Sequence, residues 1–315
     1  MGLFTPLSDD TLRALLARFG VDPLATHGVA GGSVNTYYRV ESPQGRFFLR
    51  VDERADEAAV AHEVALLARI TDVPVPRPRR TLDGAWWTRH GDKPVLLFTA
   101  LPGAAHPADA LSAAQLASLG RAMAAMHRAD PAGIAPHRFH PRALVEDHYA
   151  PLRDRVRAER PDAARALDEI LREGWAAYEF PALPRAIIHA DLFADNLHFE
   201  GDALSGVLDF EAAGEGPRAL DLAIAIHALC FDVARGAFTP WRVEALRDAW
   251  AHVARPTDAE RGAWRALLTY GAARFVFTRV RDFELAANVA TQAERRDYRE
   301  FLARLRALDG VAELR

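Results

Sequence analysis

The chain has 315 residues but one cysteine, Cys230, and one lysine, Lys93. A lone thiol cannot form a disulfide within the chain, which suits a reducing compartment. Its place in the apolar run Leu222–Phe231 predicts a small buried hydrophobe. With 39 lysines and arginines together, arginine is almost the only cation, a bias of composition that marks no binding face. A formal charge of −4 supplies no basic surface for nucleic acid. No apolar run approaches the ~20 residues of a membrane span. The start, MGLFTPLSDD, lacks the basic beginning and apolar core of a secretory leader. Pro6 also stands where a myristoylation motif wants Ser or Thr. Neither internal repeats nor low-complexity segments occur. The expectation is a cytoplasmic protein, monomer or homodimer, whose partners are small molecules and neither nucleic acid nor membrane. Its length is enough for two lobes sharing a cleft.

What is present centres on residues 187–221. Two short apolar runs, Arg185–Ile188 and Leu204–Leu208, read as buried strands with polar residues at their downstream ends. His189, Asp191 and Asn196 follow the first; Asp209 and Glu211 follow the second. Between them Asn196–Glu200 predicts a third strand, with Glu200-Gly201-Asp202 turning a hairpin. Asp191 and Asn196 fit D-x-x-x-x-N, the spacing with which a kinase catalytic loop places its acceptor-side Asp and a Mg²⁺-binding Asn. Asp209 then stands where a kinase keeps the Asp that bridges metal and nucleotide phosphates. Such a set makes a hard-oxygen site for Mg²⁺ with room for the phosphates of ATP. A second reading, a two-metal phosphatase or nuclease site built from His189, Asp191, Asp195 and His198, explains the carboxylates. It leaves the N-terminal third without a purpose.

That N-terminal third predicts a helix over Ser8–Phe19 and strands over Val34–Val40 and Arg46–Val51 around the turn Ser42–Gly45. A helix over Asp56–Ile70 and strands over Gly84–Thr88 and Pro94–Ala100 complete an antiparallel sheet with one covering helix. Glycines and small hydroxyls in Gly31-Gly32-Ser33-Val34-Asn35-Thr36 let backbone N–H groups approach phosphate, although a turn is the plainer reading. Arg50 sits where a kinase sheet carries its phosphate-binding cation, and Glu63 could pair with it. An exposed strand arginine and a solvated helical glutamate are the alternatives. The composition turns to Ala/Leu-rich helix after Thr99-Ala100-Leu101-Pro102-Gly103, so the lobe boundary is placed at Leu101, giving lobes 1–101 and 102–315. Adenine would bond backbone groups near Thr99 and Leu101 at such a connector. Asp221, in a helix that starts at Pro217, can hold the catalytic loop by accepting its N–H groups. Arg274 and Arg279 recur on a helix over Trp264–Leu285, Arg274 among aromatic neighbours.

Four stretches together resemble one superfamily: GSVNTYYRV, IIHADLFADNLHFEGDALSGVLDFEAA, LDLAIAIHALCF and ARFVFTRVRDFEL. They are similar to the aminoglycoside phosphotransferase and choline kinase superfamily, and within it to bacterial homoserine kinases of that fold. The resemblance implies an α+β, bilobal, protein-kinase-like fold, with an N-terminal antiparallel sheet and helix and a larger, mostly helical C-terminal lobe. It implies Asp191 as base or orienter of the acceptor hydroxyl, Asn196 and Asp209 as Mg²⁺ ligands, and His189 as structural. Ser33, Asn35 and Arg50 would meet the ATP phosphates. Two departures touch the acceptor pocket. Glu211-Ala212-Ala213 replaces the aromatic residues that often follow Asp-Phe, and His227 and Leu229 stand where Asn and Trp are expected. A free amino acid would need a cation for its carboxylate, from Arg274 or Arg279, and an acid for its ammonium, from Glu211. An aminoglycoside, choline or another small hydroxyl or amine acceptor is the alternative, and a non-catalytic kinase-fold binding protein is a third.

Overall fold

In the computed structural model, residues 4–29, 35–173, 178–285, 296–311 and 313–314 are described. Ser8 accepts the N–H of Thr11 and starts α1 (Asp9–Arg18), which buries Leu12, Leu15 and Leu16. Five strands follow: β1 (Ala25–Val29), β2 (Thr36–Ser42), β3 (Gly45–Val51), β4 (Thr88–His90) and β5 (Lys93–Thr99). Between β3 and β4 runs α2 (Glu57–Arg69), capped by the Asp56 carboxylate. The strands form one antiparallel sheet in the order β1-β2-β3-β5-β4.

Alternation along β5 decides what each face covers. Val95 and Leu97 join Val40, Leu49 and the apolar stripe of α1. Leu96 and Phe98 point the other way, to Val60, Val64 and Leu67 of α2, and that second core continues into the helical half. The sheet and its covering helix agree with expectation, but two boundaries moved. The segment expected as a strand over Gly84–Thr88 is a turn up to Thr88: Thr81 donates to the Ala85 carbonyl, and Gly84 takes a φ of 87°, which glycine tolerates. β1, which the sequence did not announce, is an edge strand of mostly exposed residues.

The C-terminal part is mostly helical: α3 (Ala113–Met126), α4 (Arg153–Glu159), α5 (Pro161–Ile170), α6 (Arg218–Leu229), α7 (Pro240–Ala254), α8 (Asp258–Arg279) and α9 (Arg299–Arg306). Ser112 and Gln115 close a capping box at the start of α3. That helix packs so tightly on α7 that a Cβ on Gly120 would lie 2.5 Å from the Leu246 carbonyl oxygen. Short strands are set into this helical part: β6 (Arg185–Ile188), β7 (Leu197–Glu200), β8 (Ala203–Val207), β9 (Gly214–Pro217), β10 (Phe231–Asp232) and β11 (Ala237–Phe238). The expected hairpin is β7–β8, and β9 pairs antiparallel with β6. Among the described residues no helix is long and apolar enough to cross a membrane.

Candidate active site

β6 runs out at Ile188, and the chain turns through Ala190 with φ at 61°, a left-handed conformation that costs an L residue roughly 1–2 kcal/mol. The turn is held from below. Asp221, fully buried on α6, accepts the N–H of His189 at 2.8 Å and of Ala190 at 2.7 Å. His127 donates to the same carboxylate from Nε2 at 3.1 Å, and its Nδ1 accepts from Trp250 Nε1 at 3.2 Å, which fixes the tautomer. His189 is fixed likewise: Nδ1 accepts the Asp191 N–H at 3.2 Å while Nε2 donates to the Leu208 carbonyl at 2.8 Å. That last bond ties the loop to the strand that delivers Asp209. The expected structural parts of His189 and Asp221 are therefore seen as contacts, with His127 and Trp250 behind them.

Asn196 donates from Nδ2 to the Asp191 carbonyl at 2.9 Å, and its own carbonyl accepts the Leu208 N–H at 2.9 Å. This commits the amide nitrogen to the loop and turns the oxygen end to other work. Asp209 takes a φ of 62°, and its carboxyl is pushed up by burial and then by the charge of Asp191. Asp191 is pushed up by its own burial against the pull of Arg274. Two carboxyls, one raised by the charge of the other, with a side-chain amide oxygen on the same loop as Asp191, are a donor set that fits a hard divalent cation. Among the described residues no three His, Cys, Asp or Glu side chains gather into a metal cage, so the two-metal arrangement of His189, Asp191, Asp195 and His198 is not assembled.

Across from this loop lies Arg50 on β3, 3% exposed. It is bidentate to Glu63, with Nη1 donating to Oε1 at 3.0 Å and Nη2 to Oε2, and its Nε donates to Asp52 Oδ2 at 3.2 Å. The Arg50–Glu63 pair expected from the sequence is formed. No sequence signal singles out Asp52, the residue just after β3; it meets Arg50 through the bond to Nε. Burial pushes its carboxyl up to about 6, against the opposing pull of Arg50, and its Oδ1 is buried without a hydrogen bond. The folded chain thus holds this proton more tightly than the unfolded chain. The stability it contributes is full below the ordinary value of 3.8 and is lost as pH rises through about 6. Asp52→Asn should therefore gain stability relative to the parent by about 3 kcal/mol between about pH 4 and about pH 8. Urea unfolding of both proteins at the two pH values checks the sign.

Glu211 was expected beside the acceptor. Its Oε1 instead accepts from Asn35 Nδ2 and lies 3.8 Å from Arg50 Nη1, so it faces the expected phosphate-binding residues. Burial, then Asp209, push it up to about 8. Asn35 is further tied by the Glu53 N–H, donated to Oδ1 at 3.1 Å. Ser33 and the glycines before it lie outside the described residues. At the connector, the Thr99 N–H is engaged by the Arg77 carbonyl at 3.0 Å, which removes it from any role with adenine. The Leu101 side chain packs against Gly206 of β8.

Two expected acceptor contacts sit elsewhere for clear reasons. His227 is fully buried between the rings of Phe238 and Phe301, donates to the Leu268 carbonyl at 2.8 Å, and is pushed down to about 3 by burial. It is part of the helical core. Arg279 donates to the Asp297 carbonyl at 2.7 Å and to Glu300 Oε2 at 2.9 Å, with its guanidinium 4.5 Å from the Phe301 ring. Arg274 does lie beside the loop, Nη2 at 3.7 Å from Asp191 Oδ1. Arg296, which no sequence signal singled out, pairs with Asp195 at 3.6 Å and keeps its side chain 43% exposed.

A loop aspartate, a loop asparagine and a strand-end aspartate, with a buried Arg–Glu pair acting on the last of them, are the groups that phosphoryl transfer calls for. The profile of the phosphotransferase enzyme family matches residues 26–267, and the chain belongs to that family. It is a small-molecule kinase that transfers phosphate to an alcohol group. It is 32% identical to a homoserine kinase of Parvibaculum lavamentivorans, over 99% of this chain and 97% of that one. It is 34% identical to a homoserine kinase of Gluconacetobacter diazotrophicus, over 97% of this chain and 96% of that one. Among solved structures, a spectinomycin phosphotransferase in complex with ADP and spectinomycin shares the fold, with a TM-score of 0.66 at 12% identity over 95% of this chain and 94% of that one.

Proposed function

We propose that this kinase transfers the γ-phosphate of ATP to the hydroxyl of L-homoserine in the cytoplasm, with Mg²⁺ held by Asn196 and Asp209. The observation that carries the acceptor is the arginine surround of Asp191: Arg274, Arg296 and Arg279 all pull its carboxyl toward the ionised form. Such a field suits an acceptor that carries its own carboxylate. Arg296 offers the most accessible guanidinium of the three. A polycationic aminoglycoside would meet the wrong sign there. The full-length likeness to two homoserine kinases supports the same choice.

Asp191 would orient the acceptor hydroxyl and take its proton. Asn35 and Arg50 would face the phosphates, Arg50 held ready by Glu63 and Asp52. The bound metal would neutralise developing charge on the transferred group. Adenine would lie along the connector after β5, bonding backbone near Leu101. That connector supports a lobe boundary at Leu101: Gly103, at φ 80°, lies so close to β7 that a Cβ would stand 2.5 Å from the Phe199 carbonyl. The test is ADP release measured side by side with homoserine, choline, methylthioribose and an aminoglycoside. Turnover is expected with homoserine. Turnover of another acceptor without homoserine would overturn the proposal, and nucleotide binding without any turnover would favour a binding protein.

A further inference from the structure

Arg274 is only 2% exposed, although it lies against the catalytic loop. The rings of Phe139 and Phe275 each stand 4.5 Å from its guanidinium carbon. Its Nη1 donates to the carbonyl of Ala190, while Asp191 Oδ1 is 3.7 Å from Nη2, beyond hydrogen-bond range. Ala190 is the residue with φ at 61°. Its N–H is bound by Asp221 Oδ1 at 2.7 Å, so its two peptide groups are gripped by a carboxylate from α6 and a guanidinium from α8. A non-glycine residue keeps a left-handed φ only where its surroundings impose it. Asp191 follows directly, and the direction of its side chain depends on that turn. A guanidinium that captured the acceptor would need to be open to the cleft with its N–H groups free to turn. Burial and the two flanking rings close Arg274 off from the cleft, and its Nη1 is committed to a loop carbonyl.

We propose that Arg274 is a positioning residue, which with Asp221 locks Ala190 in the left-handed turn that presents Asp191 to the acceptor hydroxyl, and which does not itself bind the acceptor. The proposal rests on the kinase assignment of Asp191, and uses homoserine only as the probe. Steady-state ADP release is measured for the parent, Arg274→Met, Ala190→Gly and the double variant. A parent silent on homoserine counts against that acceptor alone, and the comparison then moves to the acceptor from the panel that is turned over. Arg274→Met is expected to lower kcat by about 50-fold or more while the acceptor KM stays within about threefold. Adding Ala190→Gly should restore kcat by about fivefold, because glycine takes a positive φ without being held. A rise of about 50-fold in acceptor KM with kcat kept would make Arg274 the acceptor's ligand and overturn the proposal. Failure of glycine to rescue would overturn the lock. Should Arg274→Met not fold, Arg274→Lys keeps stem and charge but loses the planar fork, and the same kcat loss and glycine rescue are expected of it.

Discussion

Asp191→Asn should lower kcat by about a thousandfold and leave the KM for ATP within a few-fold. The asparagine keeps the volume of the side chain and both bonds of the residue's own backbone, its N–H donated to His189 Nδ1 and its carbonyl accepting from Asn196 Nδ2. What it loses is the negative oxygen that, on the proposed role, would orient the acceptor hydroxyl and receive its proton. Positioning and electrostatics supply most of the catalysis in phosphoryl transfer, so the loss falls on the chemical step. Steady-state ADP release at saturating ATP and acceptor measures it. A kcat unchanged within a few-fold would remove Asp191 from its assigned role.

Asp221→Ala should cost about 4 kcal/mol of stability and also most of kcat. Its buried carboxylate receives three donors: the N–H groups of His189 and Ala190 and Nε2–H of His127. Each donor left buried without a partner costs roughly 1–3 kcal/mol, with little water able to reach them. Asp221→Asn keeps the shape but sets an NH₂ against at least one of these donors, so about half the loss is expected to remain. Urea unfolding gives both values. If Asp221→Ala were as stable as the parent, the loop would not hang from α6 as described.

The chain disclosed its chemistry where that chemistry is local. Asp191, Asn196 and Asp209 belong to one hairpin neighbourhood, so their spacing in sequence already fixed which strand ends would carry them. Arg50 and Glu63 were legible because a strand end and the next helix are close along the chain. What escaped depends on distant partners. Asn35 and Glu211 are 176 residues apart, and nothing in either neighbourhood marks the other. β9, with the sequence GEGP, is a poor strand former and exists through its pairing with β6. His127 is the C-cap of α3, and only the fold brings Asp221 and Trp250 to its two nitrogens. His227 lay in an almost wholly apolar helix that already argued for burial, while its placement at the acceptor came from family likeness.

The central claim is a division of labour: Asp209 and Asn196 serve the metal and nucleotide, Asp191 the acceptor. Calorimetric titration of AMP-PNP, with and without Mg²⁺, into the parent, Asp191→Asn and Asp209→Asn tests it directly. Asp191→Asn is expected to bind the nucleotide within about threefold of the parent, and Asp209→Asn to lose most of the Mg²⁺-dependent gain in affinity. Equal weakening in both variants, or parent binding indifferent to Mg²⁺, would contradict it.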